Sequence, residues 1–187
     1  MRGDIYRSGD VDFFSLPLRS GDRFYAATMT AASASTSGDT VLTLLAPNGT
    51  TVIETDDEDG VFNGNASSIA GTAIITGGTY FVRVTGFNAS STQVRYYDLH
   101  VKVQSGAPVP ETEPNNNGAP QALPASGWVS GVISSTAAAV DNDMFSFDLN
   151  AGDTAFLSLD LDPERNGGSA SWNGRLSMGA FNNFLLS

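Results

Sequence analysis

The sequence predicts an all-β fold built from antiparallel strands, and three observations support that prediction. Apolar and polar residues alternate at a period of two along several short segments, which is typical of strands with one buried face. Glycine, proline, asparagine and serine separate these segments with frequent turn signals. No stretch shows a sustained helical period. We therefore expect a β-sandwich with little helix.

One thirteen-residue segment occurs twice in the chain. Residues 10–22 (DVDFFSLPLRSGD) and 141–153 (DNDMFSFDLNAGD) align without a gap and are identical at seven positions. Chance rarely produces such agreement, so we interpret the chain as two tandem copies of one unit. The predicted division is a β-sandwich module over residues 1–105, a linker over residues 106–110 and a second module over residues 111–187.

The prediction of incomplete modules rests on what surrounds the repeat. Residues 105–110 (SGAPVP) favour an extended, stiff linker. The acidic segment at residues 111–117 has no counterpart ahead of the first copy, and the second copy stops after a predicted hairpin. We expect the first copy to lack its N-terminal segment and the second its C-terminal strands. Apolar side chains such as Phe145 and Phe147 should then be partly uncovered.

Each copy of the repeat is predicted to form a strand that carries two aspartates. The apolar residues of this strand share one face at period two, namely Phe14, Leu16 and Leu18 in the first copy and Phe145, Phe147 and Leu149 in the second. Asp10 and Asp12, like Asp141 and Asp143, fall on that face where the strand enters the core. A part-buried carboxylate needs a partner, and the candidates are backbone N–H groups, a basic side chain or a cation.

Other strands are predicted in matching pairs. Taken first copy against second, they are residues 3–5 and 131–133, residues 24–30 and 155–161, and the hairpins 41–53 and 176–186. Only the first copy continues, with strands predicted near residues 72–75, 79–84 and 97–103.

Charge and hydropathy limit the classes of partner. The net charge is −11, and both halves of the chain are acidic. This argues against a nucleic acid or an anionic membrane as partner, and it suits cation binding or solubility. No apolar run is long enough to span a bilayer, so we expect no membrane insertion. The chain starts without a signal-peptide pattern and looks like a piece of a longer protein.

The residue inventory argues against catalysis. The chain has no cysteine and a single histidine, His100, so a Ser-His-Asp or Cys-His arrangement cannot be assembled from it. Leu99, Val101 and Val103 take the inward positions of their strand, which directs His100 outward. Hydrolysis by a pair of carboxylates is an alternative, but nothing marks one aspartate as an acid distinct from a base. We predict that the chain is not an enzyme.

The order of motifs in the chain carries a resemblance to a known family. It runs Glu-x-Glu-Pro-Asn-Asn, a Gly-x-Ile strand, an Asp-x-Asp strand ending in Gly-Asp, an Asn-Gly hairpin, Gly-Thr-Tyr-x-Val-x-Val and Tyr-x-Leu-x-Val. This order resembles the bacterial pre-peptidase C-terminal domain, which is related to collagen-binding domains. The resemblance implies a jelly-roll-like β-sandwich that serves secreted or cell-surface proteins as a non-catalytic accessory module.

The resemblance also implies a calcium site. By position, the ligands would be Glu111, Glu113, Asn115, Asn116, Asp141 and Asp143. Ca²⁺ takes six to eight hard oxygen ligands, and carboxylates with asparagine carbonyls can supply them. Capping of the backbone at the sandwich rim is the alternative reading. Asp10 and Asp12 are the weaker candidates, because no acidic segment precedes them.

Two functions are compatible with these features. In the first, the chain is an accessory module that attaches a secreted bacterial peptidase or other exported enzyme to a polymer, such as a collagen-like protein or a polysaccharide, while the catalytic domain lies elsewhere in the full-length protein. In the second, the chain is a structural repeat of a large bacterial surface or adhesin-like protein. Phe81, Phe87, Tyr96 and Trp172 are the aromatic candidates for ligand contact, with core or loop packing as the ordinary alternative.

Overall fold

The computed structural model describes residues 1–7, 9–30, 38–57, 65–88, 92–116, 118–134, 141–161, 174–180 and 183–186. Its contacts divide the chain into two units, one formed by residues 1–103 with 157–187 and the other by residues 104–156. Regular structure in the described residues is almost wholly β, which confirms the all-β prediction. None of the described residues belong to a helix that is long and apolar enough to cross a membrane. The predicted module boundaries stay a prediction.

Eight strands build two antiparallel four-stranded sheets. They are β1 (Arg2–Ile5), β2 (Asp12–Leu18), β3 (Arg23–Thr30), β4 (Thr40–Leu45), β5 (Val52–Asp56), β6 (Ser68–Ala73), β7 (Gly78–Gly86) and β8 (Val94–Gln104). One sheet has the order β1-β8-β3-β6 and the other the order β2-β7-β4-β5. The strands predicted in the first copy of the repeat are therefore formed, except that the one predicted near residues 72–75 begins and ends earlier, as β6 (Ser68–Ala73).

The inward faces of these two sheets share one hydrophobic core. Phe24 and Tyr97 from the first sheet and Leu42 and Val82 from the second are all at most 1% exposed. Apolar side chains leaving water in this way supply the main driving force for folding, at roughly 25 cal/mol per Å² of buried apolar surface. Two sheets packed face to face form a β-sandwich, as the sequence predicted.

Strand β2 shows the predicted period of two. Phe14 and Leu16 pack against the core, and Leu18 is buried within it. Phe13 and Ser15, on the opposite face, are exposed. The strand pairs with β7 over its whole length, from Asp12 opposite Val84 to Leu18 opposite Gly78.

Residues 104–156 contain four very short strands. They are β9 (Val109–Pro110), β10 (Gln121–Ala122), β11 (Val129–Ser130) and β12 (Phe145–Ser146). Strand β11 pairs in parallel with β9, and β10 pairs in parallel with β12. Phe147 is 39% exposed, as expected for an apolar side chain that the unit does not fully cover. Leu149 is 50% exposed.

The second copy of the repeat does not reproduce the strands of the first. The strand predicted over residues 145–149 ends at Ser146, and the strand predicted over residues 155–161 is wrong, because no strand is formed there. The strand predicted at residues 131–133 is not formed, and the nearby strand β11 ends at Ser130. A strand persists only where a neighbour completes its backbone hydrogen bonds, and the partner of β12 extends over two residues alone.

The hairpin predicted over residues 176–186 is formed. Strands β13 (Met178–Ala180) and β14 (Asn183–Leu186) pair antiparallel, with Met178 opposite Leu186. Trp172, one of the aromatic candidates for ligand contact, lies outside the described residues.

The Gly-Asp turn has the same geometry in both copies. The N–H of Asp22 donates to the carbonyl of Arg19 at 3.1 Å, and the N–H of Asp153 donates to the carbonyl of Asn150 at 3.0 Å. The preceding glycine has a φ of 91° in the first copy and 95° in the second, a conformation that glycine adopts without steric cost. The aspartate carboxylate also accepts the N–H three residues earlier, at 2.7 Å in both copies.

The two turn aspartates should differ in their effect on stability. Asp22 is 5% exposed, so Asp22→Ala leaves the Arg19 N–H without its buried acceptor and should lower the free energy of unfolding by about 1 kcal/mol. Asp153 is exposed, so water can replace its carboxylate and Asp153→Ala should stay within about 0.5 kcal/mol of the wild type. Urea unfolding of both variants measures this, and equal losses would contradict it.

Candidate metal centre

The acidic segment is attached to its surroundings mainly through Glu111. Its N–H donates to the carbonyl of Ser130 at 2.9 Å, which continues the pairing of β9 with β11 by one residue. Its carboxylate accepts the N–H of Val132. A Cβ at Gly131 would overlap this carboxylate, so the missing side chain at position 131 allows the close approach.

Asn115 is the buried member of the site, with 1% of its surface exposed. Its Nδ2 donates to Oε2 of Glu111 at 3.1 Å, and its N–H donates to Oε2 of Glu113 at 3.0 Å. Its carbonyl accepts the N–H of Met144 at 2.6 Å, which brings the acidic segment beside Asp143. The side-chain oxygen Oδ1 of Asn115 is buried and has no hydrogen-bond partner among the described residues. A buried, unpaired amide oxygen is costly, so this atom lacks a donor or a cation.

Three carboxylates meet next to Asn115. One carboxylate oxygen from each of Glu111, Glu113 and Asp143 lies within 4.8 Å of the other two. Oδ1 of Asp143 is buried and has no hydrogen-bond partner in the part of the chain that the structure describes. Within the described residues there is no other such group of three or more acidic, histidine or cysteine side chains. The arrangement offers several hard oxygen atoms in a small volume, as divalent cations prefer.

The electrostatics of Asp143 reflect this crowding. Burial first, then a hydrogen bond with Glu111 and the negative charges of Glu111, Asp141 and Glu113, raise the pKa of Asp143 to about 7. Near neutral pH, Asp143 is therefore still partly protonated, whereas an isolated aspartate would be fully ionised. A bound cation would lower this pKa again, because its positive charge would stabilise the ionised carboxylate and offset the repulsion between the carboxylates.

The other two predicted ligands of this unit, Asp141 and Asn116, accept hydrogen bonds from groups close to them in the sequence. Oδ2 of Asp141 accepts the N–H and the hydroxyl of Ser134 at 2.7 and 3.0 Å. Oδ1 of Asn116 accepts the N–H of Gly118 at 3.0 Å. The structure thus brings four of the six predicted side chains together and leaves Asp141 and Asn116 outside the group of close carboxylates. Their role as ligands stays a prediction.

In the first copy of the repeat, the two aspartates accept hydrogen bonds from a different set of groups. Asp10 accepts the N–H groups of Val11 at 3.0 Å and Tyr6 at 3.4 Å. Asp12 accepts the hydroxyl of Tyr97 at 2.5 Å, a bond that joins β2 of one sheet to β8 of the other. Neither aspartate belongs to a cluster of acidic side chains within the described residues. Calcium binding at Asp10 and Asp12 stays a prediction.

Tyr97 was not among the predicted residues. The predicted partners of the aspartates were N–H groups, basic side chains and cations, but not a phenol. Burial, followed by the hydrogen bond to Asp12, raises the pKa of Tyr97 well above its ordinary value. The available signal was the tyrosine that opens the Tyr-x-Leu-x-Val strand, since a buried tyrosine hydroxyl usually needs an acceptor.

Comparison with known families identifies part of the chain. Residues 10–86 match the model described as "Bacterial pre-peptidase C-terminal domain". The match runs from Asp10 to the end of β7 and covers less than half of the chain, so it includes Asp10 and Asp12 but not residues 104–156. Pre-peptidase C-terminal domains are typically non-catalytic accessory domains of secreted bacterial proteins.

Solved structures and curated proteins add little to this match. The chain is similar to a periplasmic inhibitor of g-type lysozyme, PliG from Aeromonas hydrophila, with 17% identity, a TM-score of 0.41 and coverage of 56% of this chain and 83% of that one. Nothing among the curated proteins matches. The pre-peptidase C-terminal match is therefore the comparison that bears on function.

Proposed function

We propose that the chain is a non-catalytic accessory module of a secreted bacterial peptidase or other exported enzyme. Its work is to bind calcium at the Glu111, Glu113 and Asp143 cluster and to hold the enzyme on a polymeric substrate. The catalytic domain would lie elsewhere in the full-length protein. The pre-peptidase C-terminal match over residues 10–86 supports the accessory role.

The observation that carries the calcium proposal is the buried Oδ1 of Asn115, which has no partner beside three close carboxylates. Glu111, Glu113 and Asp143 would supply charged oxygens, and Asn115 a neutral one. Water molecules would complete the six to eight oxygens that Ca²⁺ takes. Calcium is favoured over Mg²⁺, because Mg²⁺ demands near-ideal octahedral geometry and gives up its water reluctantly.

A binding role without chemistry fits the residue inventory. The chain has no cysteine, and its single histidine, His100, lies on β8 between the core residues Leu99 and Val101. His100 is therefore the single histidine of the chain that could activate a nucleophile.

Calorimetric titration of the 187-residue chain with calcium tests the metal proposal. We expect one site, and Glu113→Gln should weaken it at least about tenfold, because a ligand charge is lost from the site. Asp148→Asn is the matched control, since Asp148 is an exposed carboxylate of the same unit and lies outside the cluster. No heat of calcium binding in the wild type, or equal weakening in both variants, would refute the site.

Sedimentation with insoluble polymers tests the accessory role. The chain should sediment with at least one polymer, either a collagen-like protein or a polysaccharide. Binding to none of them, together with calcium binding, would favour the alternative of a structural repeat in a large bacterial surface protein, in which the cation only stiffens the chain.

A further inference from the structure

On the outward face of the sheet β2-β7-β4-β5, side chains of different chemical types lie next to one another in a row that crosses all four strands. Phe13 on β2 lies opposite Arg83 on β7, Arg83 lies opposite Thr43 on β4, and Thr43 lies opposite Thr55 on β5. Paired residues of neighbouring strands project to the same side of a sheet. Ser15 adds an exposed hydroxyl next to this row on β2. Thr43 itself is 0% exposed, so the accessible part of the row consists of the Phe13 ring, the partly exposed Arg83 and the hydroxyl groups of Thr55 and Ser15.

Arg83 has few partners among the described residues. Its Nη2 donates to Oγ1 of Thr43 at 3.1 Å, and its Nε is buried without a hydrogen-bond partner in that part of the chain. No ion pair to Arg83 is present within the described residues, whereas Arg2 forms one with Asp98 at 2.8 Å. Arg83 is partly exposed and has no acidic partner among the described residues, so its positive charge can attract a carboxylate of an external ligand.

Phe13 supplies an apolar surface at the same place. It is 56% exposed although it is a large aromatic residue in the middle of a sheet. Burying such a ring against a flat apolar partner is favourable, at roughly 25 cal/mol per Å² of apolar surface removed from water. The ligand that fits this row has a ring with an apolar face, a carboxylate and hydroxyl groups.

We propose that this outward face binds a polysaccharide that contains uronic acid residues. The carboxylate of a uronate lies against the guanidinium of Arg83, the sugar ring stacks on Phe13, and sugar hydroxyls reach Thr55 and Ser15. This inference rests on the proposed role as a polymer-binding module and names the class of polymer.

A polysaccharide fits this face better than a peptide does. The backbone groups of β7 and β4 are already paired within the sheet, so a peptide lying on the face would find no partners for its own N–H and C=O groups. A sugar has no backbone amides and needs only side-chain hydroxyls and a cation. The net charge of −11 opposes the binding of a polyanion, but screening beyond about 8 Å limits that repulsion to the acidic groups nearest this face.

Calorimetry with a short, non-gelling oligogalacturonate and with its methyl ester tests the inference on the whole chain. The wild type should bind the acid at least about tenfold more tightly than the ester, because only the acid can form a charged hydrogen bond with Arg83. Arg83→Gln should abolish that preference, and Phe13→Ser should weaken binding of acid and ester alike. Arg95→Gln is the matched control, since Arg95 is an exposed arginine that lies over the ring of Tyr6 instead.

The ester comparison needs no protein variant, so it stands even if a variant fails to fold. Equal affinity for acid and ester would overturn the inference, as would binding that a chelator abolishes and Arg83→Gln leaves intact, because that binding would run through the acidic cluster. Sedimentation with gelatin or cellulose but no affinity for oligogalacturonate would overturn it and leave the polymer-binding role standing. Failure to bind any polymer would overturn both.

Discussion

Calcium at 100-fold over its dissociation constant should raise the free energy of unfolding of residues 104–156 by about 2.7 kcal/mol, provided that only the folded unit binds it. The physical reason is the cluster of Glu111, Glu113 and Asp143, whose oxygens lie within 4.8 Å of one another and whose repulsion a cation removes. Hydrogen exchange of the amide groups of Met144 and Gln121, which donate to backbone carbonyls inside this unit, measures the gain locally.

The pH dependence of this unit should reverse when calcium is added. Without calcium, the folded Asp143 keeps its proton up to a pKa of about 7, while the unfolded aspartate loses it near pH 4. The folded state then binds more protons than the unfolded state between those values, so stability falls as pH rises from about 4 to about 7. With calcium, binding requires the ionised carboxylate, so stability should rise over the same range.

Asp143→Asn separates these two effects. The amide cannot ionise, so without calcium this variant should be more stable than the wild type at pH 7.5 and should lack the fall between about pH 4 and 7 that Asp143 causes. It should also lose most of the gain from calcium. Asp148→Asn should change neither property. A variant that is less stable than the wild type without calcium and equally stabilised by it would show that the cluster is not a cation site.

The first sandwich was largely predictable because its strands are specified by local chemistry. The hairpin between β4 and β5 is an example, since Oδ1 of Asn48 accepts the N–H groups of Thr50 at 3.0 Å and Thr51 at 2.9 Å and so closes the turn within the predicted segment. The alternation along β2 likewise assigns its two faces before any partner is known.

The same reasoning failed at residues 155–161, although their alternation resembles that of β3. Alternation describes the faces of a single strand, whereas a strand forms only beside a neighbour that completes its hydrogen bonds. Strand β3 has β6 and β8 on its two sides, and none of the described strands pairs with residues 155–161. Sequence periodicity contains no information about whether that neighbour is present.

The candidate site was predictable in composition but not in detail. The spacing of Glu111, Glu113 and Asn115 and the aspartate at 143 suggested oxygen ligands on one side of an extended segment. The approach of particular carboxylates depends on hydrogen bonds that cannot be predicted from the sequence. One example is the N–H of Met144, which donates to the carbonyl of Asn115. Local acceptors also compete for ligands, as Asp141 shows by accepting from Ser134.

Tyr97→Phe should lower the free energy of unfolding of the first sandwich by about 1.5–3 kcal/mol, the range for a hydrogen bond to a charged group. Tyr97 is 1% exposed, and its hydroxyl is the one hydrogen-bond donor to the Asp12 carboxylate within the described residues. Removing it leaves a part-buried carboxylate without a donor at the contact between the two sheets. Tyr96→Phe is the control, because Tyr96 is 62% exposed, and it should change stability by no more than about 0.5 kcal/mol.

Alkaline pH provides a second readout of the same bond. The folded Tyr97 keeps its proton at a pH where an unfolded tyrosine, with a pKa of about 10, has lost it. Above about pH 10 the unfolded state therefore binds fewer protons, and the stability contributed by Tyr97 is lost as pH rises. Tyr97→Phe cannot lose that contribution, so its deficit relative to the wild type should shrink between about pH 10 and 11.5 in urea unfolding. A deficit that stays constant across this range would show that the variant loses packing and not the bond to Asp12.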